Sequence, residues 1–361
     1  MASFPAAIDD LSIDWLTEAL HAAGELPAEG RVQTFRSEPI GVGVGLMGLL
    51  YRLSLDYDGP AGPATAIAKF PVPHAETRHV AKTFRFYEKE VGFYRDLAPR
   101  SAFGLPAVYA AEHDADSDDF ALLLEDIADR GAVYSQTEGC PPDVARIAAR
   151  ALGRHAATFL ESPVFADPSL SWLPFGYETP FPEGVQQGVG GSWEAFQERF
   201  PELIDDTIVE MVPRYLDSIH SLMTPDDDRP TTLMHGDYRL DNLFFDGEDV
   251  TAIDWQICAK GTCAYDLAYF VSQSLTVEDR RAHESAIIDA WFEGFEAAGG
   301  ADDRDGFMNE YREAIMFCLC YPLQAGGSLV IEDERARQLI VDLFTRCTAA
   351  IDDHDADEFL L

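Results

Sequence analysis

Positive charge is what this chain has least of. Its 361 residues carry 26 Lys and Arg against 64 Asp and Glu, a formal net charge of −38. A surface of that sign repels phosphate backbones and anionic headgroups, which excludes nucleic acid and membrane as partners. It would attract cations, a polyamine-like substrate among them, and it would equally serve solubility or salt tolerance. The second reading leads, because the acid is spread along the whole chain. Long apolar runs are missing too: the longest, around "AIMFCLCYPL", is about half of what a bilayer span needs. The opening residues lack the basic-then-apolar pattern of a secretory signal, so a cytoplasmic location is expected. The six cysteines (Cys140, Cys258, Cys263, Cys318, Cys320 and Cys347) form no CxxC pair. Reduced, buried thiols are expected of them. Lysine is the scarcest cation, at Lys69, Lys82, Lys89 and Lys260 only. In a chain that otherwise uses arginine, a lysine near the end of the strand-like "ATAIAKF" needs a reason.

What is present is the material of a globular protein. The hydrophobic fraction is 47%, and the length suffices for two domains. "LSIDWLTEALHAAG" has helical spacing, with Ser12 placed to cap it and Gly24 to stop it. Short strands follow. In "LLYRLSLDY" the residues Leu49, Tyr51, Leu53, Leu55 and Tyr57 alternate with mostly polar neighbours, the pattern of a half-buried strand. "RHVAKTFRFYEKEVGFYRDLA" is expected to be helical, and "LPAVYAAEH" and "FALLLEDI" to form a hairpin around "DADSDD". Beyond about Asp126 helices dominate, apart from two short strand-like pieces around "HGDYRLDNLFFD". "DVARIAARALGRHAATFL" has a helical apolar stripe, and His155 beside it is expected to be a packed core histidine. Residues 163–191, rich in proline, glycine and aromatics, fit neither period and are expected to be irregular.

Three features carry chemistry. Gly43, Gly45 and Gly48 spell GxGxxG, weak by itself. A dinucleotide fold needs a helix after it; a phosphate-covering hairpin needs a strand, and the alternating residues 49–57 favour the hairpin. A hairpin that binds nothing stays open on this motif alone. Lys69, downstream, would reach nucleotide phosphates as a point charge. A buried ammonium needs a carboxylate partner. Glu88 and Glu90 are the candidates. Glu90 is in phase with Phe86, Phe93 and Leu97 and so faces the sheet; Glu88, in phase with Arg95, is expected to be more exposed.

The third feature is "HGDYRLDNLFFD", His235 to Asp246, followed by "TAIDWQ". Phosphoryl transfer needs a group to orient the attacking hydroxyl and accept its proton, and oxygen ligands that hold Mg2+ against the phosphates. Asn242 and Asp254 suit the metal, which leaves Asp237 for the base. His235 and Asp241 could bind zinc in principle, but no third ligand has suitable spacing. Turn chemistry explains any one of these residues, though not all of them in this order after a glycine hairpin and a lysine strand.

On these motifs the sequence resembles the aminoglycoside phosphotransferase-like kinases and the choline-kinase-like and ecdysteroid-kinase-like groups around them, over nearly its whole length. "HGDYRLDN" is similar to their catalytic loop and "IDWQ" to their metal-binding strand end. "GTCAYDLAYF" resembles the next helix, whose Asp266 would brace the loop. "LLLEDI" resembles the hinge that would hold adenine through backbone groups from Glu125 to Ile127, and "EKEVGFY" places the helix glutamate at Glu90. The resemblance implies an α+β, two-lobed protein-kinase-like fold. A small antiparallel-sheet lobe over residues 1–126 would bind nucleotide, and a larger helical lobe over 127–361 would carry the catalytic loop and substrate site. It implies Asp237 as base, Asn242 and Asp254 as Mg2+ ligands, Lys69 on the phosphates and a structural role for His235.

The implied activity is ATP- and Mg2+-dependent phosphorylation of a small-molecule hydroxyl, with GTP open as donor and no signal for oligomeric state. Glycine stands at 236 where choline kinases usually have asparagine, so choline recedes. "IDWQ" and "DLAYF" look closer to the ecdysteroid-kinase-like members. An aminoglycoside, macrolide, sterol or other alcohol would suit as acceptor. The aromatics Trp172, Phe175, Tyr177, Phe181 and Trp193 could line its pocket or belong to the core. The rivals are a catalytically silent, nucleotide-binding pseudokinase and a nicotinamide dehydrogenase, which would need a helix after Gly48.

Overall fold

Alternation builds the first half of the molecule. The computed structural model describes residues 4–41, 47–225, 229–301, 303–329, 331 and 334–361; Gly43 and Gly45 lie outside them. It divides into two compact units, one of Met1–Arg100, Gly104–Gly131 and Ile253–Ile257, the other of Ser101–Phe103, Ala132–Ala252 and Cys258–Leu361.

In the first unit, α1 (Ile13–Ala22) is capped by Ser12, which accepts from the Trp15 N–H. It is followed by β1 (Arg31–Ile40), β2 (Gly48–Asp58) and β3 (Thr65–Pro71). Two helices, α2 (Ala75–Thr83) and α3 (Phe86–Gly92), precede β4 (Val108–Asp114) and β5 (Asp119–Glu125). The strands form one antiparallel sheet in the order β1-β2-β3-β5-β4. Because side chains alternate, Ala66, Ala68 and Phe70 of β3 join Leu53, Leu55, Ala121 and Leu123 under Leu16 and Leu20 of α1. Phe120 of β5 points the other way and stacks on Tyr87 of α3 at 4.4 Å. Lys69 shares that second face. A strand, not a helix, begins at Gly48, which removes the dinucleotide reading.

The helix expected over residues 78–98 is broken. Arg85 takes a left-handed φ of 57° between α2 and α3, and α3 passes at Phe93–Leu97 into a π-helical turn. A local backbone break leaves no mark on apolar spacing, so the sequence reads as continuous.

The second unit begins with α4 (Pro142–Phe159), α5 (Phe181–Arg199) and α6 (Asp206–Met223). Four short strands follow: β6 (Thr231–Met234), β7 (Leu243–Asp246), β8 (Asp249–Ala252) and β9 (Ala259–Thr262), paired β6 with β9 and β7 with β8. The sequence suggested only two; a four-residue strand is too short to show a period. Helices α7 (Tyr265–Ser274), α8 (Val277–Ala297), α9 (Arg304–Phe317), α10 (Cys320–Ser328) and α11 (Glu334–Asp353) complete the unit.

Residues 163–191 are not irregular throughout. Two single 3-10 turns lead into α5, whose four glycines hide its helical character. Tertiary packing supplies what propensity lacks. Gly327 of α10 lies so near α5 that a Cβ there would stand 2.2 Å from the Ser192 carbonyl oxygen. Of the aromatics in and just after this stretch, Trp172 is core, while Phe175, Tyr177, Phe181 and Trp193 are half-buried. All six cysteines are buried thiols outside any disulfide. No helix among the described residues is long and apolar enough to cross a membrane.

Candidate active site

The second face of the sheet explains the lysine. Lys69 Nζ lies 2.8 Å from both carboxylate oxygens of Glu90 on α3, and 3.0 Å from Asp254 Oδ1. Lys69 is 6% exposed and Glu90 2%, so each charge would be costly without the other. Burial alone would lower the lysine pKa, but Asp254 and Glu90 outweigh it and hold the ammonium above its usual value. Burial pushes the Glu90 carboxyl up, and Lys69 pulls it back. Glu88 turns to Arg85 instead, at 2.7 Å. Gly48 leaves room for this arrangement: a Cβ there would stand 2.8 Å from Lys69 Cε.

Asp254 is held in an unusual backbone state. Its φ of 66° is left-handed, which costs a non-glycine residue of order 1 kcal/mol. The next residue, Trp255, is fully buried and stacks on Phe93 with ring centroids 3.7 Å apart and planes 6° from parallel. Phe93 opens the π turn one helical step past Glu90. The stack and the lysine together fix the carboxylate.

At the end of β5, the Glu125 N–H donates to the Ala107 carbonyl at 2.9 Å, and the Ile127 carbonyl accepts from the Arg130 N–H at 2.9 Å. The Ile127 N–H meets no acceptor among the described residues.

In the second unit, His235 to Asn242 form the loop between β6 and β7. Asp266 on α7 accepts from the His235 N–H at 2.7 Å and from the Gly236 N–H at 2.9 Å. Burial pushes its carboxyl up to about 7, against the pull of those two N–H groups. Gly236 adopts a φ of 86°, the left-handed turn that glycine takes without penalty. Tyr238 points inward, fully buried, and its hydroxyl donates to the Ala148 carbonyl at 2.9 Å. Asp237, on the other side, is half-buried.

The Asp237 carboxylate is closely held. Its Oδ2 accepts from Asn242 Nδ2 at 3.0 Å and from Arg239 Nε at 3.2 Å; its Oδ1 accepts from the Tyr269 hydroxyl at 3.1 Å. Arg239 Nε lies 3.2 Å from Oδ1 as well. Burial alone would raise the pKa of this carboxyl, but Arg239 and His235, with the Asn242 and Tyr269 bonds, outweigh it and hold the group below its ordinary range. It is ionised at neutral pH. Asn242 spends its Nδ2 on both the carbonyl and the carboxylate of Asp237, bonds in which its Oδ1 takes no part. That oxygen and the Asp254 carboxylate are hard donors of the kind Mg2+ takes. Among the described residues no group of three or more His, Cys, Asp or Glu could hold a metal.

Several contributors were not legible in the sequence. Arg239 bridges Asp237 and Asp241, the latter at 3.0 Å. Tyr269, on the same helix as Asp266, reaches Asp237. Gln136 accepts from the Leu240 N–H at 3.1 Å and is itself pinned by buried Arg346, which donates to the Gln136, Gln273 and Thr137 carbonyls. "DLAYF" was a signal for Tyr269; nothing local marks Gln136 or Arg346.

Residues 43–298, more than half of the chain, match the sequence model of the Ecdysteroid kinase-like family. No curated protein matches by sequence. Among solved structures, amicoumacin kinase hAmiN in complex with AMP-PNP, Ca2+ and Ami is similar at 13% identity and a TM-score of 0.54, covering 91% of this chain and 92% of that one. The GDP and kanamycin complex of aminoglycoside phosphotransferase APH(2")-IIIa follows at 14% identity and 0.52, covering 96% and 99%. An ethanolamine kinase from Plasmodium vivax stands at 15% and 0.50, covering 96% and 90%. These neighbours show a kinase-like phosphotransferase fold.

Proposed function

This chain belongs to the ecdysteroid kinase-like family, with the fold of small-molecule kinases and phosphotransferases, and from that premise we propose that it phosphorylates a hydroxyl of a small molecule with ATP and Mg2+. The observation that carries the reading is the Asp237 carboxylate, kept ionised by Asn242, Arg239 and Tyr269 on a loop that Asp266 braces. Asp237 orients the acceptor hydroxyl and takes its proton. Asp254 and Asn242 hold Mg2+, which when bound neutralises phosphate charge. Lys69, fixed by Glu90, contacts the phosphates, and Gly43, Gly45 and Gly48 cover them. Glu125 and Ile127 offer adenine their backbone groups. Catalysis of this kind rests on positioning and charge, with little covalent work for the protein. The acceptor is an alcohol such as an aminoglycoside, a macrolide or a sterol, and the protein is cytoplasmic, acting on neither nucleic acid nor membrane. ATP is preferred over GTP only as the default donor; the neighbours' complexes hold AMP-PNP in one case and GDP in another.

Thermal melting with Mg-ATP, Mg-GTP and NAD, followed by an acceptor panel, tests this. A ligand at 100 times its Kd adds about 2.7 kcal/mol to stability, so a metal-dependent upward shift with Mg-ATP is expected, and none with NAD. Asp237→Ala should abolish transfer while keeping that shift; Asp254→Ala should weaken it. Transfer that survives Asp237→Ala removes the base assignment. A shift without transfer to any acceptor would make the protein a silent nucleotide-binding pseudokinase.

A further inference from the structure

Arg52 of β2 shares the sheet face of Lys69. Register puts it there: Leu50 pairs with Lys69 and Lys69 with Leu122, while Arg52 pairs with Ile67 and Ile67 with Leu124. Directly opposed residues lie on one face. Leu50 and Ile67 are half-buried and Leu124 is buried, so the two cations stand beside an apolar strip.

The guanidinium reaches the residue that follows β5. Arg52 Nε donates to Asp126 Oδ2 at 2.7 Å, and Nη2 donates to Oδ1 at 3.3 Å. The Asp126 side chain is only 9% exposed. A planar fork that meets a carboxylate at two points fixes direction as well as distance. Asp126 Oδ1 also accepts from the Ala128 N–H at 3.2 Å. The neighbouring carboxylate is tied from the other side. Glu125 Oε2 accepts from the Ala107 N–H at 3.0 Å and from Arg130 Nη2 at 2.6 Å, and Arg130 Nη1 donates to the Leu105 carbonyl at 2.8 Å. The peptide between Asp126 and Ile127, which aims the Ile127 N–H, is thus held at both flanks.

Resting on the phosphotransferase reading above, we infer that Arg52 is a positioning residue, which through Asp126 clamps this peptide and selects the donor's base. The base that suits a fixed N–H donor is one with an acceptor on its pairing edge. Adenine has one at N1; guanine carries a hydrogen there and would meet Ile127 donor to donor. A loose segment could turn away from that clash, whereas a clamped one keeps it, and an unpaired polar contact is what discriminates between ligands of equal size.

Calorimetric titration with Mg-ATP, Mg-GTP and Mg-tripolyphosphate tests this on the wild type, Arg52→Ala, Asp126→Ala and the double variant. The wild type should bind ATP at least about tenfold tighter than GTP. Arg52→Ala should weaken ATP about tenfold, the order expected for losing a hydrogen bond to a charged group, and leave GTP and tripolyphosphate within about twofold. Asp126→Ala should match it, and the double variant should be no worse, because all three remove one interaction. Arg52→Lys keeps the charge without the fork and should restore little. A merely structural pair would lower the melting temperature and leave the ATP-to-GTP ratio unmoved, which overturns the inference, as does a wild type that prefers GTP. Hydrogen exchange needs no nucleotide: the Ala128 and Arg130 amides should exchange faster in Arg52→Ala, and unchanged rates overturn the clamp whatever the reaction. If those amides respond but the wild type binds neither nucleotide nor tripolyphosphate, the phosphotransferase reading is wrong, and the base selection falls with it.

Discussion

His155 shows how burial decides a residue's chemistry. It sits fully buried on α4, stacked against Phe103 at 4.7 Å and near Phe159, with Nδ1 3.3 Å from the Ser101 hydroxyl. Burial, then the nearby His235, lowers its pKa to about 3. The folded state therefore holds it neutral, while the unfolded chain protonates near the ordinary histidine value of about 6.5. Its contribution to stability is complete above about pH 6.5 and is lost as pH falls toward 3, at up to about 1.4 kcal/mol per pH unit. Urea unfolding of the wild type and of His155→Leu, at pH 7.5 and 5.0, checks this. The wild type should lose about 2 kcal/mol more than the variant over that interval. Parallel losses would mean that His155 titrates normally. Lys69 illustrates the opposite outcome, a charge kept in the core because two carboxylates meet it.

At the scale of elements, close helix packing is written in glycines. On α4 a Cβ at Gly153 would stand 2.1 Å from the Trp291 carbonyl oxygen of α8, and on α8 a Cβ at Gly294 would stand 2.1 Å from the Arg150 carbonyl oxygen of α4. The obstacles are backbone atoms that no rotamer change moves aside. Gly294→Ala should therefore cost about 1–3 kcal/mol, the usual range for overpacking, and lower the melting temperature. A control is Gly299→Ala, just past the end of α8, where nothing lies within 4 Å but φ is 88°; its cost should be the smaller one of backbone strain alone. Equal losses at both positions would show that conformation, not helix contact, explains Gly294. The same logic accounts for α5, a glycine-rich segment that becomes helical because α10 packs directly against it.

At the scale of the whole molecule, charge dominates. A chain at −38 repels itself in the compact state, and salt screens that repulsion, with a Debye length of about 10 Å at 0.1 M and about 3 Å at 1 M. The melting temperature should rise as sodium chloride increases from about 0.1 M to about 1 M. A flat or falling curve would mean that the acidic side chains are already compensated in the fold. The Lys69–Glu90 ion pair is shielded from solvent and should respond least, so nucleotide-dependent stabilisation should persist at high salt better than an exposed cation-binding surface would.

The kinase-like fold was legible in the sequence because its chemistry comes in local, ordered words. "HGDYRLDN", "IDWQ" and the lysine strand each fall within a dozen residues, and period two in residues 49–57 is a direct image of one face of a sheet. The phase of Glu90 with Phe86 and Phe93 was readable for the same reason: a helix turns local spacing into a direction. Contacts between distant residues have no such image. Tyr269 meets Asp237 across 32 positions of sequence, and Arg346 meets Gln136 across 210. The break at Arg85, the helix at residues 181–199 and the paired short strands β6 and β9 arise from backbone turns and tertiary packing that override weak local preference. Composition and motif by themselves determined which groups are available for chemistry. Only the tertiary structure decided which of those groups hold one another, because burial and hydrogen bonding depend on neighbours that the order of the chain does not name.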